Sequence, residues 1–193
     1  MKKEKLEAIL ETARKAFARY GPRKANLDEI ARMARVAKGT IYNYFGSKDG
    51  IYLEVLSREA HEILEKISQS VGSETSPEKK LASFARAKFQ YMRQAANILN
   101  LDREGIENRP HKAHGIRNEL FEAEVSIVVS ILKEGTDKGV FKLNDLLLAA
   151  RAICYSLRGF ELTWLVQDSQ ERIERYLDEL LNILFLGIVT EKG

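Results

Sequence analysis

An all-α fold is predicted by three observations. Apolar residues recur at three- and four-residue spacing along nearly the whole chain, as in Leu6, Ile9, Ala13, Phe17 and Tyr20. Only three prolines occur in 193 residues, and no hairpin dipeptide separates two alternating runs. With 45% hydrophobic and 31% charged residues, the composition is that of a globular protein long enough to bury a substantial core. The pattern resolves into about nine helices.

The first helix covers about Lys3 to Tyr20 and is stopped by Gly21, with Pro22, Arg23 and Lys24 completing a basic connector. Asn26 is an N-cap residue for a second helix beginning at Leu27, and Glu29 stands where its carboxylate reaches back to the cap N–H. Leu27, Ile30, Ala31 and Ala34 form its apolar stripe. Val36 pins a short turn. A third helix, Lys38 to Phe45, turns Ile41 and Phe45 inward. Ser47 caps a fourth, running from Lys48 to about Ser70 with Ile51, Val55, Ile63 and Ile67 as inner positions. At 1.5 Å per residue it is about 30 Å long, enough to leave one domain and enter another.

Ser70 to Pro77 is the clearest loop, and Ser76 with Pro77 opens a fifth helix as cap and first turn. A broken helix follows to about Glu107, and a second break covers Asn108 to Gly115. A seventh helix, about Ile116 to Lys138, ends at Gly139. The last two, roughly Leu146 to Val166 and Gln170 to Thr190, are the most apolar pair, with Ser169 capping the second. No internal repeat is visible.

The charge is uneven. Residues 1 to 50 carry 12 Lys and Arg against 6 Asp and Glu, a surplus of +6, while the whole chain is only +3. The basic surplus coincides with two short helices joined by a tight turn, the arrangement that inserts its second helix into a DNA groove. The outward face of that helix offers Lys38, Thr40, Tyr42, Asn43 and Tyr44: a cation, three hydroxyls and an amide, with Gly39 leaving room for a phosphate or base edge. Lys48 meets the N-terminus of the fourth helix, a natural anion site. The bland alternative, a helical hairpin with aromatic core residues, leaves two adjacent exposed tyrosines flanked by lysines unexplained.

Ala31 to Asp49, with its KGTIYNYFGSKD core, resembles the DNA-binding signature of the TetR family of bacterial transcriptional regulators. The resemblance covers about the first fifty residues. It departs twice from the family pattern: Arg35 stands where Gly is usual in the turn, and Ala37 where Ser or Thr usually caps the reading helix. Arg35 is itself a candidate phosphate contact. The resemblance implies a DNA-binding domain at 1–47 and a helical effector-binding and dimerisation domain at 48–193, with the fourth helix linking them. Expected DNA contacts are Asn26, Lys38, Gly39, Thr40, Tyr42, Asn43, Tyr44 and Lys48. It also implies a homodimeric repressor on a palindromic double-stranded operator, released by a small effector bound between helices four to eight.

The expected effector pocket comprises Phe84, Lys88, Phe89, Met92, Phe121, Tyr155, Arg158 and Trp164, which mix aromatic surface with a few polar groups and suit an apolar or amphipathic ligand. At helical spacing the same residues equally describe an ordinary core. Arg158, in so apolar a helix, calls for Glu161, Glu124 or an anionic ligand as partner. In the last helix, Ile173, Tyr176, Leu177, Leu180, Leu181, Leu184, Phe185 and Ile188 cover more than one face, which calls for two partners: either the helix is fully internal, or it forms a dimer interface, which the resemblance also implies.

Other readings are weaker. The alternative is a helical ligand-binding or adaptor protein that docks its basic N-terminal module on an acidic partner, which a salt-dependent gel shift on duplex DNA separates from a DNA reader. His111 and His114, with Asp102 or Glu104, have a spacing that could hold a metal, yet solvated loop histidines are the commoner case; no metal and no cofactor is expected. No nucleophile elbow, phosphate loop or zinc-protease motif occurs, so no enzyme is expected. The single cysteine, Cys154, excludes an intrachain disulfide. The charged N-terminus lacks an apolar signal segment, and no apolar run approaches the roughly 20 residues that span a bilayer. A cytoplasmic location is expected.

Overall fold

The computed structural model describes residues 2–103, 111–167 and 169–186, with side chains other than those of residues 2, 101–103, 111 and 161–167. The described residues form nine helices and no strand: α1 (Lys2–Lys24), α2 (Leu27–Met33), α3 (Lys38–Phe45), α4 (Lys48–Gly72), α5 (Pro77–Met92), α6 (Ala96–Arg103), α7 (His111–Asp137), α8 (Leu146–Gln167) and α9 (Gln170–Leu186). The all-α architecture is as the periodicity requires.

Local chemistry starts at least four of these helices. Asn26 Oδ1 accepts from Asp28 N at 2.8 Å, Ser47 Oγ from Gly50 N at 2.9 Å, Ser76 Oγ from Lys79 N at 3.3 Å and Ser169 Oγ from Arg172 N at 3.3 Å. Each satisfies a first-turn donor that the helix itself leaves open. Gly21 interrupts α1 at φ 74°, and Pro22 follows it, so the residues up to Lys24 form a separate turn. Helix α7 opens earlier than expected, at His111. Pro110 and Gly115 read as a break in the sequence, but a proline just before a helix is compatible with its start, and an internal glycine lowers helix stability by only about 1 kcal/mol. The two histidines therefore belong to a helix, not a loop.

The chain divides into two compact units: Met1–Glu62 with Ala95–Glu119, and Ile63–Gln94 with Leu120–Gly193. The division falls inside α4, and α6 goes with the first unit. In that unit Ile9, Ala13 and Phe17 of α1, Ile30 of α2, Ile41 of α3 and Ile51 of α4 are buried. Phe17 and Tyr52 meet edge to face with ring centroids 5.0 Å apart. Phe45, expected in this core, is only half-buried.

A polar hub lies within the same unit. Glu59 of α4, 1% exposed, accepts from the backbone N–H groups of Asn97 (3.1 Å) and Ile98 (3.0 Å), from Asn97 Nδ2 (2.8 Å) and from Arg14 Nε (3.1 Å). Asn97 Nδ2 also donates to Arg14 O at 3.2 Å. One carboxylate thus caps the N-terminus of α6 and ties it to α1 and α4. Burial pushes the Glu59 carboxyl above its usual range in spite of these donors.

The second unit packs α5 against α8 and α9. Its core contains Leu81, Phe84 and Met92 of α5, Val125 and Val128 of α7, Cys154 and Leu157 of α8, and Ile173, Leu177 and Leu181 of α9. An ion pair, Lys88 Nζ to Glu124 Oε1 at 2.6 Å, is fully buried within it. Such a pair attracts strongly at low dielectric yet carries a comparable desolvation penalty, so its net contribution to stability is small.

Candidate nucleic-acid interface

The reading head is built from the backbone outward. Val36 N–H donates to Ala31 O at 3.0 Å and Arg35 N–H to Arg32 O at 3.2 Å, the two bonds of a Schellman motif ending α2. This geometry places Arg35 in the left-handed region, φ 54°, where an L side chain is strained by about 1 kcal/mol. Ala37 then opens α3 with no side-chain cap bond, a further loss of roughly 1 kcal/mol relative to a capping residue.

Ile41 is fully buried and anchors α3. Gly46 ends that helix at φ 72°, and Gly50 permits a close approach: a Cβ there would lie 2.0 Å from Phe45 O. The first turn of α4 can therefore lie directly against the end of α3, which fixes the attitude of the reading helix. Opposite Ile41, Lys38, Gly39, Tyr42, Asn43 and Tyr44 are exposed and Thr40 is half-buried. A Cβ on Gly39 would meet nothing within 4 Å, so this side opens on free space. A cation, hydroxyls and an amide on one exposed helical face can donate to phosphates and to base edges.

Three expected contact residues also have internal roles. Asn26 caps α2, as described. Lys38 Nζ lies 2.9 Å from Asp28 Oδ2, and that hydrogen bond holds the ammonium above the usual lysine range. Lys48 Nζ donates to Arg23 O at 2.8 Å and reaches Ala25 O at 3.4 Å, tying the start of α4 to the basic connector. An ammonium has three donors, so one remains for an outside acceptor. The Asp28 partner was not found from the sequence: it lies ten residues from Lys38 across a turn, and no local spacing signals the pair.

The expected effector residues are placed as follows. Phe84, Lys88, Phe89, Met92 and Phe121 are buried, whereas Tyr155 is 57% exposed. Phe121 and Tyr155 have ring centroids 4.6 Å apart, and the Arg158 guanidinium stands 5.6 Å from the centroid of Phe121. The Trp164 side chain lies outside the described residues, as does that of Glu161. Two grooves lie in the same unit. One, of 310 Å³ between α5 and α9, is lined by Arg86, Phe89, Arg93 and Leu177 among others. The other, of 140 Å³, is lined by Leu81, Ala85, Ala152, Leu157 and Leu184 with neighbouring apolar residues.

Helix α9 divides its apolar residues between two faces. Ile173, Leu177 and Leu181 are buried within the protomer, which removes them from the free face expected to meet a second chain. Tyr176, Leu184 and Phe185 remain exposed, Leu180 is half-buried, and Ile188 lies outside the described residues. The described residues contain no group of three or more His, Cys, Asp or Glu side chains that could hold a metal ion. The His111 and Asp102 side chains and all of Glu104 lie outside them. No described helix is long and apolar enough to cross a membrane.

An exposed polar helix held by a capped partner helix and a tight turn, on a basic unit of the chain, defines a helix-turn-helix DNA-binding transcriptional regulator. Residues 9–55 match the family described as bacterial regulatory proteins, tetR family. That segment is a TetR-type DNA-binding domain, and the relatives that the chain matches are transcriptional regulators rather than enzymes. Over 188 residues, 97% of each chain, it is 24% identical to the fatty acid metabolism regulator protein of Bacillus subtilis. Its fold is similar to that of the transcriptional regulator FadR from Bacillus subtilis in complex with stearoyl-CoA (TM-score 0.78, 23% identity, 95% of this chain and 100% of that one). It is also similar to AibR in complex with isovaleryl coenzyme A and operator DNA (TM-score 0.68, 18% identity, 94% and 98% covered).

Proposed function

We propose that this regulator is a homodimeric repressor that binds a palindromic operator and leaves it when a coenzyme A thioester binds its second unit. The observation that carries the reading is the exposed face of α3. Lys38, Thr40 and Asn43 are assigned to base edges, and Asn26, Tyr42, Tyr44 and Lys48 to phosphates, with Gly39 giving the backbone close access.

Dimerisation is supported by the apolar surface that remains on α8 and α9. Leu147, Leu148 and Tyr155 are 52%, 67% and 57% exposed, and Tyr176, Ile183 and Leu184 are 40%, 44% and 43% exposed. Large apolar side chains gathered on two helices favour a partner. A two-fold axis supplies the second reading helix that a palindrome requires. The effector class is supported by the acyl thioesters bound in the two structural neighbours, both amphipathic molecules as the aromatic and cationic residues of the second unit suit. The thioester acts only through a difference in its affinity for the DNA-competent and DNA-incompetent states. Helix α4, with residues in both units, is the proposed carrier of that difference.

Mobility shift of a bound duplex under titration with stearoyl-CoA, isovaleryl-CoA and free coenzyme A tests the effector assignment. Release by a thioester but not by free coenzyme A is expected; an unchanged complex with all three would sink it. Sedimentation of the free protein at twice the chain mass is expected, and a monomer at micromolar concentration would contradict the dimer.

A further inference from the structure

The described residues contain four positions of left-handed φ, and three are glycines: Gly21 (74°), Gly46 (72°) and Gly139 (70°). The fourth is Arg35, at 54°, in the turn of the reading head. The Schellman motif that requires this conformation is made by backbone groups alone, Val36 N–H to Ala31 O and Arg35 N–H to Arg32 O. Glycine would serve the turn without strain. The arginine side chain gives the fold nothing visible in exchange: it is exposed, and among the described residues its guanidinium has no hydrogen bond, ion pair or ring contact. The two lysines that flank the reading helix differ in this respect. Lys38 is held by Asp28 and Lys48 by the carbonyls of Arg23 and Ala25.

We propose that Arg35 is an additional DNA-backbone contact, a guanidinium kept in the turn between α2 and α3 to bind a phosphate in spite of the strained conformation it imposes. The proposal rests on the DNA-binding reading and extends its contact set by a residue that carries no sequence information. Strain retained at one residue points to function when the local fold does not need the side chain, and a guanidinium is matched to phosphate by its planar fork of donors. Neutralising one phosphate releases its condensed counterions, so the contribution is read directly from salt dependence.

The test compares wild type, Arg35→Gly and Arg35→Lys on duplexes of mixed sequence across a range of salt, together with thermal unfolding of each. For Arg35→Gly, the slope of log K against log salt is expected to become shallower by about 0.9, with binding about fivefold weaker near 0.15 M salt. Its unfolding midpoint is expected to equal or exceed that of wild type. Arg35→Lys is expected to restore most of the slope. An unchanged slope in the glycine variant would overturn the proposal, as would a lowered midpoint, which would make the arginine a structural residue. Wild-type protein with no salt-dependent binding to duplex DNA would overturn the underlying reading as well, an outcome distinct from the first two.

Discussion

The Lys38 ammonium lies 2.9 Å from a carboxylate oxygen of Asp28, so a cation of the reading helix α3 is held by the first turn of α2. The pair is exposed, with side chains 45% and 64% accessible, and stabilises the fold little. Its effect is on aim and charge. Asp28→Asn removes a negative charge beside the DNA-binding face and frees Lys38 to reach any phosphate. Affinity for mixed-sequence duplexes is expected to rise several-fold while the ratio of specific to non-specific binding falls, as measured by competition mobility shift. A variant with weaker binding to every duplex would show instead that the carboxylate helps to hold the head together.

Asn43 and Tyr42 share the exposed face of α3 but differ in assigned role. Asn43→Ala should alter preference at one base pair of the site by about 1–3 kcal/mol, because an amide reads a base edge. Tyr42→Phe deletes a single hydroxyl and should weaken binding to all sequences alike. Affinities for a set of singly substituted duplexes separate the two patterns, and uniform loss for Asn43→Ala would remove its base-reading role.

Glu59 gathers four donors from α1 and α6 while 1% exposed. Truncation leaves two buried backbone N–H groups of α6 and one amide without that acceptor. Glu59→Ala is therefore expected to destabilise the protein by about 3 kcal/mol in denaturant unfolding. Arg14→Ala, whose side chain is 31% exposed, should lose less. A loss below about 1 kcal/mol for Glu59→Ala would show that the carboxylate does not organise α6.

Glu134 is bound by Lys138 Nζ at 2.7 Å and Lys80 Nζ at 2.6 Å. Those hydrogen bonds, Lys138 first, hold its carboxyl below the usual range. A lowered folded pKa means that the unfolded chain takes up protons first as pH falls. The stabilisation is complete above the unfolded carboxyl's pKa and is lost as pH descends through the folded one. Wild type is expected to lose stability between about pH 5 and pH 3 more steeply than Glu134→Gln. Parallel pH profiles would show that the pair contributes nothing in solution.

The reading head was legible because its determinants are local. Asn26, Ser47, Ser76 and Ser169 cap helices within three residues of themselves, and Gly21 breaks α1 where it stands. Arg35 and Ala37 could be judged against the turn they occupy. The Glu59 hub was missed although a signal existed: Ile51, Val55, Ile63 and Ile67 recur every fourth residue, and position 59 fills the gap in that stripe. A carboxylate on a buried stripe demands partners, but Asn97 and Ile98 lie 38 and 39 residues away and no pattern names them. The same limit applies to the second unit. Phe84, Lys88 and Met92 are buried, yet whether a buried aromatic lines a cavity or fills a core is decided by packing, which periodicity does not encode. For α9, the stripe width did not assign Ile173, Leu177 and Leu181 to the inner face.

The most direct test of a two-fold DNA reader is selection of bound duplexes from a random pool with purified protein at moderate salt. Enrichment of a palindrome is expected, its half-site spacing reporting the separation of the two α3 helices. Sequences enriched without two-fold symmetry, or no enrichment over the starting pool, would contradict the dimeric, sequence-specific reader.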